Sequence, residues 1–233
     1  MQHLASRLKI INTNSSGMKK FAAPLAVIAL VVLLDQWFKF YIKTNFVLGE
    51  EVKIMGDWFR LYFVENEGMA FGLTFGGDNN EIGKYILTFL RIVLVFGGFW
   101  YLYRTITQQK HWGFIVCVSL IIAGAIGNII DSIFYGVWFA DINTYDGSYF
   151  QGHVVDMLYF PMVNGHFPAW LPIWGSEAFT FFSPIFNIAD SAISLGVITI
   201  IICQKIFFKE ENTIADDIET SNDSPEVSVE ENI

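Results

Sequence analysis

Paired carboxylates and amides occur inside segments that are otherwise apolar. The stretch FNIAD places Asn187 and Asp190 three residues apart, and GAIGNIID places Asn128 and Asp131 at the same spacing. Residues three apart share one face of a helix, so each pair would point in one direction. Ionisable groups at membrane depth are costly, which makes them candidates for a functional site.

A structural alternative for Asn187 and Asp190 is to cap the helix in which they lie. Ser183 and Pro184 already suit the N-cap and the first position of that helix. We therefore expect Asn187 and Asp190 to lie beyond the first turn and to face inward. At that depth the helix dipole would not decide which carboxylate of a pair is ionised.

Three further polar segments are predicted to lie at the same depth on the same side. DQWFK places Asp35 and Lys39 four apart, where an ion pair on one helix face is the structural alternative. VENEGMAFG contains Asn66, and HVVDMLYF contains Asp156. Small residues in GAIGNIID, such as Gly124 and Gly127, permit close contact between helices.

Two carboxylates held close together can hydrolyse a peptide bond. One takes a proton from water and the other, protonated, polarises the carbonyl and serves the leaving amine. Such a pair shares a proton, because both acids cannot easily ionise at once. A serine–lysine mechanism has less support, since no serine pairs with Lys39 or Lys43. A metal mechanism also has less, since His153 and His166 lack the HExxH spacing and no metal is expected.

The composition indicates a membrane protein rather than a soluble domain. The chain is 53% hydrophobic and contains 23 Phe in 233 residues. Its net charge of −9 arises from residues 210–233, which carry nine acids and no base. We predict that this tail is a disordered cytoplasmic appendage.

Four segments are long enough to cross a bilayer core of about 30 Å. We predict a mainly α membrane protein whose four transmembrane helices belong to one domain, residues 21–208, with a small extracytoplasmic β element and an aromatic interfacial connection. The first helix is predicted to be an uncleaved anchor, because no small-x-small site follows it. The predicted helices are Phe21–Ile42, Lys84–Arg104, Trp112–Phe134 and Pro184–Phe208.

The distribution of basic residues predicts that both termini are cytoplasmic. Residues 1–20 and 209–233 would then lie inside, and residues 43–83 and 135–183 outside. The outer side would carry four basic residues against eight inside. Cys117 and Cys203 both lie within predicted helices, so no disulfide is expected.

The two outside connections differ in composition. Val52–Met55 and Trp58–Val64 are rich in β-branched and aromatic residues and flank Gly56-Asp57, which predicts a hairpin. Gly136–Ser183 has no Lys or Arg and is rich in Trp, Phe and Tyr. We expect it to lie on the outer leaflet, either as an aromatic belt or as a ligand-binding surface.

Taken in order, these segments resemble the lipoprotein signal peptidases, the signal peptidase II family. The resemblance covers residues 21–208. It implies an aspartic endopeptidase of the bacterial cytoplasmic membrane that cuts prolipoproteins before the diacylglyceryl-modified cysteine. The matching motifs are DQ at Asp35-Gln36, NEGMAFG at Asn66–Gly72, GNIID at Gly127–Asp131, VVD at Val154–Asp156 and FNIAD at Phe186–Asp190.

Carried over residue by residue, the resemblance implies that Asp156 and Asp190 are the catalytic pair. The positions that shape or support the site would be Asp35, Asn66, Asn128, Asp131 and Asn187. The implied partners are the prolipoprotein and membrane lipids, with no cofactor and no nucleic acid, and we expect a monomer.

Two departures from the family pattern stand out. Ser132 occupies the position where the family usually carries Arg, so a guanidinium that contacts substrate carbonyls is expected to be missing. The connections that separate GNIID, VVD and FNIAD are also longer than expected.

Two other functions remain open from the sequence. A proton-coupled transporter would use the same carboxylates as relays, but polar residues should then continue through the bilayer. They do not, since Phe21–Leu34 and Ala192–Cys203 are nearly wholly apolar. Arg91, in the predicted helix Lys84–Arg104, is the main exception. An assembly factor that docks partners on its aromatic face would tolerate single Asp substitutions.

Overall fold

The computed structural model describes residues 2–66, 81–145, 147–161, 163–166, 178–181 and 184–209. Three of the sequence-based predictions concern residues outside these ranges. They are the acidic tail, the NEGMAFG motif beyond Asn66 and the aromatic residues between positions 167 and 177.

Four helices dominate the fold, and each contains a segment long and apolar enough to cross a membrane. These segments are Lys20–Asn45, Gly83–Thr107, Trp112–Trp138 and Ile188–Phe207. The predicted fold class, a mainly helical membrane protein with four spanning helices and a small sheet, is confirmed. The full helices are α1 (Gln2–Asn45), α2 (Glu81–Thr107), α3 (Trp112–Trp138) and α4 (Ile188–Phe207).

Helix α3 lies at the centre of the bundle and contacts the other three helices. Its glycines allow close contact with α4 and α1, as predicted from the small residues of GAIGNIID. A Cβ atom at Gly124 would lie 2.2 Å from the carbonyl oxygen of Ala189 on α4. At Gly127 it would lie 2.6 Å from Oδ2 of Asp35 on α1. Larger side chains at these two positions would push α4 and α1 away from α3.

A small antiparallel sheet lies at one end of the bundle, with strands in the order β1-β2-β3-β6. The predicted hairpin is confirmed, and Gly56 in its turn adopts φ +56°. Ile42, Tyr135, Val155 and Met157 pack together where the sheet meets α1 and α3. The strands are β1 (Glu51–Met55), β2 (Phe59–Asn66), β3 (Val154–Tyr159) and β6 (Ile185–Phe186), while β4 (Val163–His166) and β5 (Ala178–Phe181) pair separately.

The start of α4 differs from the prediction. The helix begins at Ile188 rather than Pro184, and Asn187 is its N-cap, with a side chain that accepts a hydrogen bond from the Asp190 N–H. Ile185 and Phe186 are extended because they pair with Tyr159 and Leu158 of β3. The prediction that Asn187 and Asp190 lie beyond the first turn is therefore wrong.

The aromatic connection after α3 is only partly exposed. Tyr149 and Phe150 are exposed, as is Trp138 at the end of α3, whereas the Phe139 ring is buried and lies 4.9 Å from the ring of Phe40. The connection also contains β3, which the sequence analysis did not identify as a strand. This strand brings Asp156 into the buried centre of the sheet.

Candidate active site

The pairing of β3 with β6 brings Asp156 next to the first turn of α4. Asn187 stands between the two elements, and its Nδ2 donates to Asp156 Oδ1 at 2.7 Å and to the Val155 carbonyl at 3.3 Å. Its Oδ1 accepts from the Asp190 N–H at 2.9 Å. One fully buried amide thus holds the Asp156 carboxylate and the Asp190 backbone together.

Asp156 is 4% exposed and accepts a second hydrogen bond from Asn66 Nδ2, at 3.3 Å to Oδ2. Asn66 pairs with Val154, so it lies on the same face of the sheet as Asp156. Burial raises the pKa of Asp156 to about 7, and the nearby charge of Asp190 acts in the same direction. The hydrogen bonds from Asn66 and Asn187 oppose this rise.

Asp190 accepts a hydrogen bond from Asn128 Nδ2 at 2.8 Å. The Oδ1 atom of Asn128 accepts from Lys39 Nζ at 2.9 Å and from Asn187 Nδ2 at 3.2 Å. A lysine ammonium can only donate, so the atom that faces Lys39 must be the amide oxygen. The amide nitrogen of Asn128 consequently faces Asp190.

Lys39 lies at the centre of a second carboxylate pair. Its Nζ is 2.9 Å from Asp35 Oδ2 and 2.7 Å from Asp131 Oδ2, and all three side chains are at most 1% exposed. The predicted ion pair between Asp35 and Lys39 is present, and Asp131 extends it. A buried cation needs such compensation because its desolvation is costly.

This ion cluster is attached to the backbone around the candidate site. Asp35 Oδ1 accepts from the Ala189 N–H at 2.8 Å, which ties α1 to the first turn of α4. Asp131 Oδ2 accepts from the Val155 N–H at 3.3 Å, which ties α3 to β3. Gln36 Nε2 donates to Asp131 Oδ1 at 2.9 Å. The elements that carry Asp156 and Asp190 are thus both held by the cluster.

All seven residues named from the sequence meet at this junction of helices and sheet. Sequence reasoning underestimated Lys39, which links the ion cluster to Asn128, and it gave no role to Gln36. The only signal for either was proximity to Asp35 in the DQWFK segment. The seven residues that meet at the junction are Asp35, Asn66, Asn128, Asp131, Asp156, Asn187 and Asp190.

His153 has a structural setting rather than that of a metal ligand. Its ring stacks on Tyr145, its Nε2 lies 2.9 Å from Lys84 Nζ, and its Nδ1 lies 3.7 Å from Glu65. Glu65 also pairs with Lys43. Within the described ranges, no three His, Cys, Asp or Glu side chains are grouped so as to hold a metal ion.

A cavity of about 420 Å³ adjoins the Asp190 carboxylate between α2, α3 and α4. Asp190, Asn128 and Arg91 form its polar lining, and aliphatic side chains such as Leu94 and Ile193 line the rest. A buried acid that holds a proton near neutrality, beside a second acid and an open cavity, is suited to acid–base chemistry on a bound molecule.

Comparison with known proteins identifies relatives of one kind. The family model for signal peptidase (SPase) II matches residues 27–207. The lipoprotein signal peptidase of Porphyromonas gingivalis is 46% identical over 189 residues, covering 76% of this chain and 80% of the relative. That of Amoebophilus asiaticus is 37% identical over 182 residues, covering 74% and 73%.

Solved structures of bacterial membrane enzymes share the fold. One has a TM-score of 0.51 at 25% sequence identity, covering 90% of this chain and 95% of that structure. A second has a TM-score of 0.50 at 25% identity, covering 78% and 92%.

Proposed function

The chain belongs to the signal peptidase II family of proteases, which remove signal peptides from prolipoproteins, and we propose that it acts as an aspartic endopeptidase with Asp156 and Asp190 as its catalytic pair. The observation that best supports this role is the shared amide frame of the two acids. Asn187 contacts Asp156 and the backbone of Asp190, while Asn128 donates to the Asp190 carboxylate. Neither acid pairs with a cation in the described contacts of this frame.

In the resting pair, we assign the shared proton to Asp156 and the role of base to Asp190. The raised pKa of Asp156 supports this assignment. Asp190 lies in the first turn of α4, where the partial positive charge of the helix N-terminus favours a carboxylate. Because α4 starts at Ile188, the helix dipole acts on Asp190. A carboxylate two turns into the helix would lie beyond the reach of the dipole.

Hydrolysis then follows a balanced sequence of proton transfers. Asp190 takes a proton from water as the water oxygen bonds to the scissile carbonyl carbon, and Asp156 donates its proton to the carbonyl oxygen. As the C–N bond breaks, Asp190 returns the proton to the leaving amine and Asp156 recovers its own. The remaining site residues (Asp35, Asn66, Asn128, Asp131 and Asn187) position the pair and do not exchange protons with the substrate.

The proposed arrangement in the membrane follows the distribution of charge. Both termini lie in the cytoplasm, and the sheet with the catalytic pair lies at the outer leaflet of the inner membrane. Residues 21–208 act as one monomeric peptidase domain, between a cytoplasmic segment 1–20 and a cytoplasmic tail 209–233.

The cleavage site is set by lipid anchoring. The substrate is cut before its diacylglyceryl-modified cysteine, because the acyl chains stay in the bilayer while the peptide reaches the carboxylates. Each methylene group kept out of water contributes about 0.8 kcal/mol, so two acyl chains hold the cysteine firmly at one depth.

The test is to incubate the purified protein in detergent micelles with two forms of one precursor, with and without the diacylglyceryl group. Mass analysis should show cleavage before the modified cysteine and very slow cleavage of the unmodified precursor. Cleavage elsewhere would contradict the proposed cut site. Equal rates for the two precursors would contradict lipid anchoring, and a fully active Asp156→Asn variant would contradict the aspartic mechanism.

A further inference from the structure

Arg91 is a charged residue well inside a membrane-spanning segment. It lies eight residues after Gly83, where the α2 span begins, and so about 12 Å along the helix axis. Charges at such depth are expensive and usually face the protein interior. Arg91 does so, since its Nη1 donates to Ser132 Oγ on α3 at 3.1 Å.

The hydrogen bond to Ser132 brings the guanidinium close to the catalytic frame. Ser132 Oγ donates in turn to the carbonyl of Asn128, the residue whose amide binds Asp190. Arg91, Asn128 and Asp190 line the same cavity. A planar cation with several N–H donors therefore faces the space that adjoins the proposed catalytic pair.

The rest of that cavity is apolar. Leu94, Val95, Ile122 and Ile193 line it on α2, α3 and α4. The cavity thus presents one polar end, beside the carboxylates, and an aliphatic wall that runs along the helices. A ligand that fits this cavity has polar backbone groups at the end near Asp190 and apolar side chains along the aliphatic wall.

A signal peptide near its cleavage site has this character. Its central segment consists of 7–15 apolar residues, which are helical in a membrane because every backbone carbonyl needs a donor there. A peptide bond must leave the helix to reach two carboxylates. The carbonyls freed by that unwinding lose their donors in a medium of low dielectric, which is unfavourable unless the protein supplies new donors.

Building on the proposed function, we propose that Arg91 binds backbone carbonyls of the signal peptide beside the scissile bond, while the apolar wall receives the side chains of the same segment. Arg91 is then a substrate-binding residue that α2 contributes. The expectation that a guanidinium is missing at Ser132 is revised, since Arg91 brings one to the Ser132 hydroxyl from the neighbouring helix.

The test compares Arg91→Leu, Arg91→Lys and the double variant Arg91→Leu/Ser132→Arg on a diacylglyceryl-modified precursor. Arg91→Leu should lower kcat/KM about 10- to 100-fold, mainly through KM, since it removes hydrogen bonds from a charged donor. Arg91→Lys keeps the charge without the planar fork and should recover only part of the loss. The double variant returns a guanidinium to the cavity from α3 and should recover most of it.

Two control variants separate binding from structure. Arg104→Leu removes a guanidinium from the same helix, where it lies over the ring of Trp100, and should leave KM unchanged. Arg91→Leu/Ser132→Ala matches the double variant without a new guanidinium and should stay impaired.

The outcomes separate this inference from the proposed function. A wild-type protein that does not cleave the precursor contradicts the proposed function itself. A wild-type protein that cleaves, with an unchanged kcat/KM in folded Arg91→Leu, overturns the inference alone. If Arg91→Leu does not fold, the other variants decide: a wild-type KM in folded Arg91→Lys, or a KM well above the wild-type value in folded Arg91→Leu/Ser132→Arg, also overturns it.

Discussion

Two carboxylate pairs lie side by side in this protein and differ in what stands between them. Asp35 and Asp131 are joined by Lys39, at 2.9 and 2.7 Å. Asp156 and Asp190 are framed by asparagine amides instead. Asn128 links the two pairs, because its oxygen accepts from Lys39 and its nitrogen donates to Asp190.

The difference decides what each pair can do. A cation between two acids compensates both charges, so the pair around Lys39 is suited to fixing α1, α3 and β3 in place. Amides orient carboxylates without neutralising them, and two acids that no cation bridges in the described contacts share a proton. The membrane protein thus places a rigid, compensated pair beside one that is free to exchange a proton.

Substituting either acid of the proposed catalytic pair should have the largest effect on activity. Asp156→Asn and Asp190→Asn keep the shape but remove the titrating proton, so each should lower kcat at least about 10³-fold. Asp35→Asn is the matched change in the other pair and should mainly lower the melting temperature. Comparable kcat losses with unchanged stability for all three variants would erase the distinction between the pairs.

Removing the cation should break the compensated pair. Lys39→Met leaves two buried carboxylates without a counter-charge, so we expect about 3–5 kcal/mol of lost stability. The measurement is the unfolding midpoint in detergent micelles. Lys53→Met is a suitable control, because Lys53 and its partner Asp57 are largely exposed and that ion pair should contribute little. Equal losses for the two lysines would contradict the role given to Lys39.

The amide frame should be the next most sensitive feature. Asn187→Ala removes the α4 N-cap and the hydrogen bond to Asp156 Oδ1, so kcat should fall about 10- to 100-fold, with about 1 kcal/mol of lost stability. Ser191→Ala is the control, because its hydroxyl only donates to the Asn187 carbonyl. A kcat loss in Ser191→Ala as large as in Asn187→Ala would contradict the role given to the Asn187 amide.

The sequence was sufficient to predict the features that depend on local composition. Apolar runs identified the four helices, and the Gly56-Asp57 turn identified the β1–β2 hairpin. Spacing put Asn128 and Asp131 on one face of α3, where both contact Lys39, whereas Asn187 is the N-cap of α4 and not a residue on its face. These features depend on residues that are close together in the sequence, so the sequence alone is enough to predict them.

Features set by distant contacts were not predictable in the same way. Ser183-Pro184 is a good local start for a helix, but the pairing of Ile185 and Phe186 with β3 delays α4 until Ile188. The contact of Lys39 with Asp131 joins residues 92 positions apart, and that of Asn66 with Asp156 depends on strand register. Tertiary contacts outweighed local preference at these points.

The proton on Asp156 predicts how activity depends on pH. Burial raises its pKa from 3.8 to about 7, so Asp156 keeps its proton up to near neutrality. As pH rises through 7 the proton is lost, and kcat/KM should fall about tenfold per further pH unit. Measuring kcat/KM between pH 6 and 9 tests this. A flat profile over that range would contradict the assignment of the proton to Asp156.

Stability should follow the same titration with a defined sign. A carboxyl whose pKa is higher in the folded state favours folding at low pH, and that contribution is lost as pH rises through about 7. Asp156→Asn has no such group. The unfolding midpoint of the variant minus that of the wild type should therefore increase from pH 5 to pH 8. A difference that stays constant over this range would contradict the raised pKa.

The smallest expected effect concerns Asn66, whose hydrogen bond to Asp156 is long at 3.3 Å. This bond stabilises the ionised form and therefore lowers the pKa of Asp156 against the effect of burial. Asn66→Ala should move the alkaline limb to higher pH, with little loss of activity below pH 7. Tyr62→Ala, a change on the same strand, should leave the limb in place. A limb that moves to lower pH in Asn66→Ala would show that Asn66 favours the protonated acid, and the amide frame would then act in the opposite sense from the one proposed.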